Sequence, residues 1–112
     1  FYYKNLKNSK IFSLLNNKNF SQNNNWLNIL KINSLRIKPR DLNILLEKKN
    51  IETRMVWHPN HDQIMFKKYQ KYKIVQSSKI PKQHLCLPSG TNLNHQELKK
   101  IISSLIEYEK KI

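Results

Sequence analysis

Apolar positions recur at helical spacing near the end of this chain. There Leu98, Ile101, Ile102, Leu105 and Ile106 form a stripe of period 3.6. Asn94, with Glu97 three residues later, gives that helix an Asn-x-x-Glu start of the capping-box kind. A second helix is predicted from Lys38-Pro39-Arg40-Asp41, with Leu42, Leu45 and Leu46 as its buried face. A proline in its first turn gives up only an N–H that has no helical partner there. Asn50 stands where a left-handed residue would close it. A rougher stripe of Tyr3, Leu6, Ile11, Leu14 and Leu15 predicts a helix over residues 1–17, the tail of a longer one.

Between these lie short runs of strand character. Trp26–Ile32 (WLNILKI) is aromatic-aliphatic and bounded by asparagines, Ile51–Trp57 ends before Pro59, and Leu85–Leu87 is closed by Pro88-Ser89-Gly90. Residues 61–72 give only a short irregular or helical turn, and 73–80 a short helix. The stretch NNKNFSQNNN, residues 16–25, is a loop that buries little. The order predicts an α+β (small α/β) fold: a short three-stranded sheet covered on one face by helices. Three such strands are too few and too short to carry a whole enzyme scaffold. No internal repeat is visible.

Composition changes this picture only in part. At 112 residues the chain suits one domain, with 38% hydrophobic residues and a single glycine. Eighteen lysines, fifteen asparagines and thirteen isoleucines are all residues with A/T-rich codons, so base composition accounts for much of the list. The net charge of +14 is almost entirely lysine, scattered along the chain. A nucleic-acid module concentrates Arg and Lys on one element and interleaves aromatics, so a solvated lysine-rich surface fits better. A small basic module for nucleic acid or an anionic surface is the alternative reading. One cysteine allows no disulfide within the chain, and reduced, cytoplasmic residence fits. No apolar stretch is long enough to span a bilayer, and FYYKNLKNSK has no signal-peptide hydrophobic region. A chain opening Phe1-Tyr2-Tyr3 reads as a fragment of something longer.

The densest chemistry lies in IETRMVWHPNHDQ, residues 51–63, which holds one of only three arginines. His58 and His61 supply two ligands where zinc needs three or four, and Pro59 keeps their segment from being a regular helix. His84 and Cys86 sit on a predicted strand downstream, and no metal site is expected. Cys86 between leucines reads as a core thiol. Ser89 lacks the G-x-S-x-G context of a nucleophile elbow, and one glycine cannot build a phosphate loop. No complete catalytic constellation is present. Arg54 at a strand end beside Trp57 and His61 suits a carboxylate or phosphate. It equally suits pairing with a nearby acid or capping a carbonyl, and the residues alone leave both open.

Five pieces then fall in register over residues 26–105. NWLN (Asn25–Asn28) opens a strand. DLNILLEKKNIETR (Asp41–Arg54) gives a helix followed by an Ile-x-Thr-Arg strand. WHPNHDQ (Trp57–Gln63) places an aromatic before a His-x-Gln, LCLPSG (Leu85–Gly90) carries Leu-Pro-Ser, and an amphipathic helix closes the chain. In this the chain resembles the C-terminal portion of the DegT/DnrJ/EryC1/StrS family of pyridoxal-phosphate-dependent sugar aminotransferases. Trp57, its spacing to His61, and Met65-Phe66 look like the legionaminic-acid-type branch. Asn50 replaces the family's glycine before Ile-x-Thr-Arg and tolerates the same left-handed turn. Phe66 lacks the hydroxyl of the family's tyrosine.

The resemblance implies a fold-type I small domain over residues 26–112, preceded in 1–25 by the end of an interdomain helix and an Asn-rich loop. It implies amino transfer, with glutamate as the expected donor, to a nucleotide-linked 4-keto-6-deoxy sugar in cell-surface polysaccharide biosynthesis. The cofactor is pyridoxal 5'-phosphate, its lysine lying outside this chain, and the full-length protein is a homodimer. Arg54 and His61 would hold the substrate or donor carboxylate, with Trp57 as an apolar wall. The chain alone would then lack activity, and the apolar faces of its first helix and sheet would be exposed.

Overall fold

In NILKI, alternation sends Leu30 and Ile32 to one side of a strand and Ile29 and Lys31 to the other. In the computed structural model, which describes residues 1–15 and 20–112, this strand is central to an antiparallel sheet. The elements run α1 (Tyr2–Leu6), β1 (Phe12–Leu14), β2 (Asn28–Ile32), α2 (Pro39–Glu47), β3 (Arg54–Met55), α3 (Ile80–Gln83), β4 (His84–Leu87) and α4 (His95–Lys110). Two single 3-10 turns, Asn60–Asp62 and Ile64–Phe66, lie between β3 and α3. The sheet order is β1-β2-β4-β3. Phe12 pairs with Ile32, and Leu14, Leu30, Leu85 and Met55 line up across all four strands. Directly paired residues share a face, so Ser13, Lys31 and His84 share the other one, as do Ile29, Cys86 and Arg54.

The inward face meets the helices in one apolar cluster. Phe12, Leu30, Ile32, Leu85 and Leu87 of the sheet join Leu42 and Leu46 of α2 and Ile101, Ile102 and Leu105 of α4. Helix α4 starts as its sequence predicts: Asn94 Oδ1 accepts from the Glu97 N–H at 2.9 Å, and Glu97 Oε2 accepts from the Asn94 N–H at 2.8 Å. Helix α2 closes in a Schellman turn, with the Ile51 N–H on the Leu46 carbonyl and the Asn50 N–H on the Glu47 carbonyl. Asn50 takes φ 55°, the left-handed conformation expected of it.

Four expectations need correction. The sheet has four strands, not three, because residues 12–14 are a strand rather than part of a helix over 1–17. The physical reason is a long-range one. Glu109 in the last turn of α4 accepts hydrogen bonds from the Ser9 hydroxyl at 2.7 Å and from the Lys10 and Ile11 amides at 2.8 and 3.2 Å. Those amides are the ones a continuing helix would have needed. Residues 16 and 17 of the expected helix, and 16–19 of the expected loop, lie outside the described residues. Second, Tyr2 and Leu6 of α1 are buried in the core rather than exposed, and the Tyr2 hydroxyl donates to the Pro88 carbonyl at 2.8 Å. Third, the strand expected over 51–57 shortens to Arg54–Met55, because Ile51 is consumed by the turn that ends α2. Fourth, the helix expected over 73–80 forms only at Ile80–Gln83, and Lys73 takes φ 43°, which no helix interior allows.

The Glu109 tether gives this fold an acid limit. Burial acts to raise the pKa of Glu109, but the hydrogen bonds from Ser9, Lys10 and Ile11 outweigh it and hold the carboxyl below its ordinary 4.5. A group depressed on folding stabilises the fold above its unfolded pKa and loses that contribution as pH falls through the folded value. Unfolding free energy should therefore fall as pH drops from about 4.5, and Glu109→Gln should flatten that slope in denaturant titrations across pH 3 to 6. An unchanged slope would show that Glu109 is not the titrating tether.

Candidate functional site at the sheet edge

Strand β3 is an edge strand of the sheet, and it sets Arg54 directly opposite Cys86 of β4. Arg54 reaches into solvent with its side chain 81% exposed. Its Nη2 and Nε both donate to Glu52 Oε1, at 2.9 and 3.2 Å. Of the two readings left open by the sequence, pairing with a neighbouring acid is therefore realised. That pairing does not use up the guanidinium, since an exposed ion pair contributes about 0–1 kcal/mol and an incoming anion can displace it. Cys86 beneath it is buried, and burial pushes its thiol pKa up, away from reactive thiolate.

Trp57 lies on the same side. Its indole meets that of Trp26, with centroids 6.2 Å apart and planes at 47°. Arg54, Trp57, Trp26, Ser89 and Leu93 line one open groove of about 470 Å³. The Ser89 hydroxyl donates to the Trp26 carbonyl at 2.8 Å, so the Leu-Pro-Ser stretch anchors the turn before β2.

His61 is placed elsewhere. It is outside the residues that line the groove and sits in the 3-10 turn Asn60–Asp62 that follows Pro59. Its Nε2 lies 2.9 Å from the Ser78 hydroxyl and 3.5 Å from Asp62 Oδ1. The Ser78 hydrogen bond is the main cause that holds Asp62 below the usual carboxylate range, against burial and with help from His61, Lys71 and Lys82. Serine and carboxylate thus meet one and the same ring nitrogen, which is not the relay of a hydrolytic triad. The structure brings Arg54 and Trp57 together and leaves His61 on a neighbouring segment pinned to Ser78. Among the described residues no three His, Cys, Asp or Glu side chains gather as metal ligands. None of the helices there is long and apolar enough to cross a membrane.

The family model for DegT/DnrJ/EryC1/StrS aminotransferases matches residues 1–106. The chain belongs to this family. A relative within reach of sequence comparison is EpsN of Bacillus subtilis (strain 168), whose name places it among pyridoxal phosphate-dependent aminotransferases. It is 31% identical over 87 residues, which are 74% of this chain and 22% of that protein. Solved structures share the fold at low identity. A DegT DnrJ EryC1 StrS aminotransferase from Brucella abortus superimposes with TM-score 0.79 at 18% identity, covering 96% of this chain and 28% of that one. The sugar aminotransferase CalS13 from Micromonospora echinospora gives TM-score 0.77 at 13% identity, covering 95% of this chain and 27% of that one. The chain thus spans about a quarter of the length of these relatives.

A family with pyridoxal-phosphate enzymes raises the question of which residues here would hold that group. A cofactor lysine works from a desolvated setting that lets its amine lose a proton. Among the described residues no lysine is buried, and Lys49, the least exposed, is tied to Glu107 at 2.6 Å. The lysines of this family segment therefore do not fit the role of the cofactor lysine. Sequence reasoning missed Trp26 and Ser89 as groove residues. Trp26 is the first residue of the strand expected over 26–32, but the strand begins at Asn28, and the preceding Asn-Asn-Asn is a turn signal that can hold an aromatic outside the sheet.

Proposed function

We propose that the chain is the C-terminal small-domain part of a pyridoxal-phosphate-dependent aminotransferase that acts on a nucleotide-linked 4-keto-6-deoxy sugar. In this reading residues 26–112 are the small domain, 1–25 lead into it, and the cofactor lysine lies in the rest of a longer, cytoplasmic, homodimeric protein. The substrate belongs to cell-surface polysaccharide synthesis of the legionaminic-acid type, and glutamate is the amino donor. The cofactor, when bound, supplies the electron sink of amino transfer. This segment supplies a guanidinium for an anionic group, through Arg54, and an aromatic surface that excludes water, through Trp57. His61, its Nε2 engaged by Ser78, is the third binding residue of this reading and stands beside the groove rather than in it.

The observation that carries this reading is the meeting of an exposed, weakly engaged arginine and an exposed tryptophan in one groove at the sheet edge, in a chain of this family. Family membership favours it over a basic module for nucleic acid. The test uses the full-length protein, loaded with pyridoxal phosphate and given glutamate and a nucleotide-linked 4-keto-6-deoxy sugar. Aminated sugar, identified by mass spectrometry, is the expected product. Absence of product with every such sugar, together with nucleic-acid binding whose affinity falls steeply with salt, would favour the basic module instead.

A further inference from the structure

The chain's two tryptophans are its largest side chains, and neither is spent on the core. Trp26 is 69% exposed and Trp57 is 71% exposed, while they touch one another. Within this chain neither indole is covered, so the hydrophobic stabilisation that burial would give is available to whatever lies against them. The turn that presents Trp26 is also a built one. Asn23 and Asn24 side-chain oxygens accept from the Asn25 and Trp26 amides at 2.9 and 3.0 Å, and Asn25 takes φ 56°. From the far end of β4, the Ser89 hydroxyl fixes the Trp26 carbonyl at 2.8 Å.

We infer that Trp26 is a further substrate-contacting residue. With Trp57 it forms an aromatic wall for a ring that has an apolar face, while Arg54 takes the anionic group attached to that ring. Ser89 is the positioning residue that sets Trp26. This inference rests on the sugar-aminotransferase reading above. With centroids 6.2 Å apart and planes at 47°, the indoles leave no slot between them, so the ring lies across their open faces. Glutamate has a carboxylate for Arg54 but no ring. The wall therefore discriminates: it acts on the nucleotide-linked sugar and not on the amino donor. Within the sugar substrate two rings have the required chemistry, the pyranose and the nucleobase, each next to phosphate.

The full-length protein decides the matter. Trp26→Ala should raise the KM for the nucleotide-linked keto sugar about tenfold, in line with the loss of one aromatic contact. The KM for glutamate and the kcat should stay essentially unchanged, and Trp26→Phe should recover most of the loss. Ser89→Ala should shift the sugar KM in the same direction by less, and Ser89→Thr, which keeps the hydroxyl, should restore it. A sugar KM unmoved by Trp26→Ala, or one that rises together with the glutamate KM, overturns the assignment while the aminotransferase reading stands. Should the protein transfer no amino group, that reading fails, and Trp26 is judged by calorimetry on wild type and Trp26→Ala. Weaker binding of a nucleoside diphosphate-linked 6-deoxy sugar alone assigns the pyranose to the wall. Equal weakening for the free nucleoside diphosphate assigns the nucleobase, and unchanged affinity for both overturns the proposal.

Discussion

Phe12→Ala should destabilise the fold by about 3–5 kcal/mol, the range for removing a fully buried phenylalanine. Phe12 has no exposed surface, pairs with Ile32, and sits in the cluster with the inward residues of β2, β4, α2 and α4. Domains of this size are stable by about 5–15 kcal/mol, so the substitution removes a large part of the total. Urea unfolding followed by far-UV dichroism reads it directly, as a lower midpoint at similar slope. Phe20 supplies the control, because it is 88% exposed, and Phe20→Ala should change stability by no more than about 0.5 kcal/mol. Similar costs for the two would place Phe12 at the surface and return residues 12–14 to the helix that their apolar spacing predicts.

That helix shows where local pattern stops being informative. Helices α2 and α4 were legible because their signals are local: proline in the first turn, Asn50 at the close, Asn94 with Glu97 three residues apart, and leucine and isoleucine at a period of 3.6. Strand β1 was not legible. The group that diverts the chain after α1 is the Glu109 carboxylate, almost a hundred residues away in sequence. An acid in the last turn of a helix opposes the helix dipole, so Glu109 is a signal in itself, though one that names no partner. The strands over 26–32 and 51–57 were recognised but drawn too long, because Trp26 and Ile51 belong to turns whose hydrogen bonds are visible only in three dimensions, and Leu85–Leu87 was drawn one residue short of His84–Leu87.

The candidate site divides in the same way. Arg54 and Trp57 stand three residues apart on and just after an edge strand, and their closeness follows from sequence alone. Trp26 and Trp57 flank strands that are not neighbours, β2 and β3, and meet although β4 lies between them, an arrangement that a linear reading does not supply. His61 is near the two in sequence but not in the groove, since Pro59 and the 3-10 turn that follows it redirect the chain and Ser78 holds the ring. The family resemblance rested on motifs in register over residues 26–105, and the family model matches residues 1–106.

Arg54→Ala in the full-length protein should lower kcat/KM for the nucleotide-linked sugar by about 10- to 100-fold, the equivalent of one or two hydrogen bonds to a charged group. Arg54→Lys should recover only part of this, because an ammonium keeps the charge but loses the planar fork that grips two oxygens. Glu52 sharpens the test. It holds Arg54 through a single carboxylate oxygen in a pair that is mostly solvent-exposed, so it orients the guanidinium and competes weakly with an anionic ligand. Glu52→Gln should therefore leave kcat/KM within a few-fold of wild type, and on either side of it. A loss as large as that of Arg54→Ala would mean that the pair is a structural strut of β3 and not a ligand-ready cation. Arg54 also differs from the surrounding lysines in what it should do to salt dependence. The lysines are spread over the surface and give a diffuse attraction that salt screens for every anion alike. Were a ring to lie across the two indoles with its anionic group on Arg54, as proposed, that contact would be shielded in part from solvent, and the ratio of wild-type to Arg54→Ala kcat/KM should persist at raised ionic strength while both values fall together.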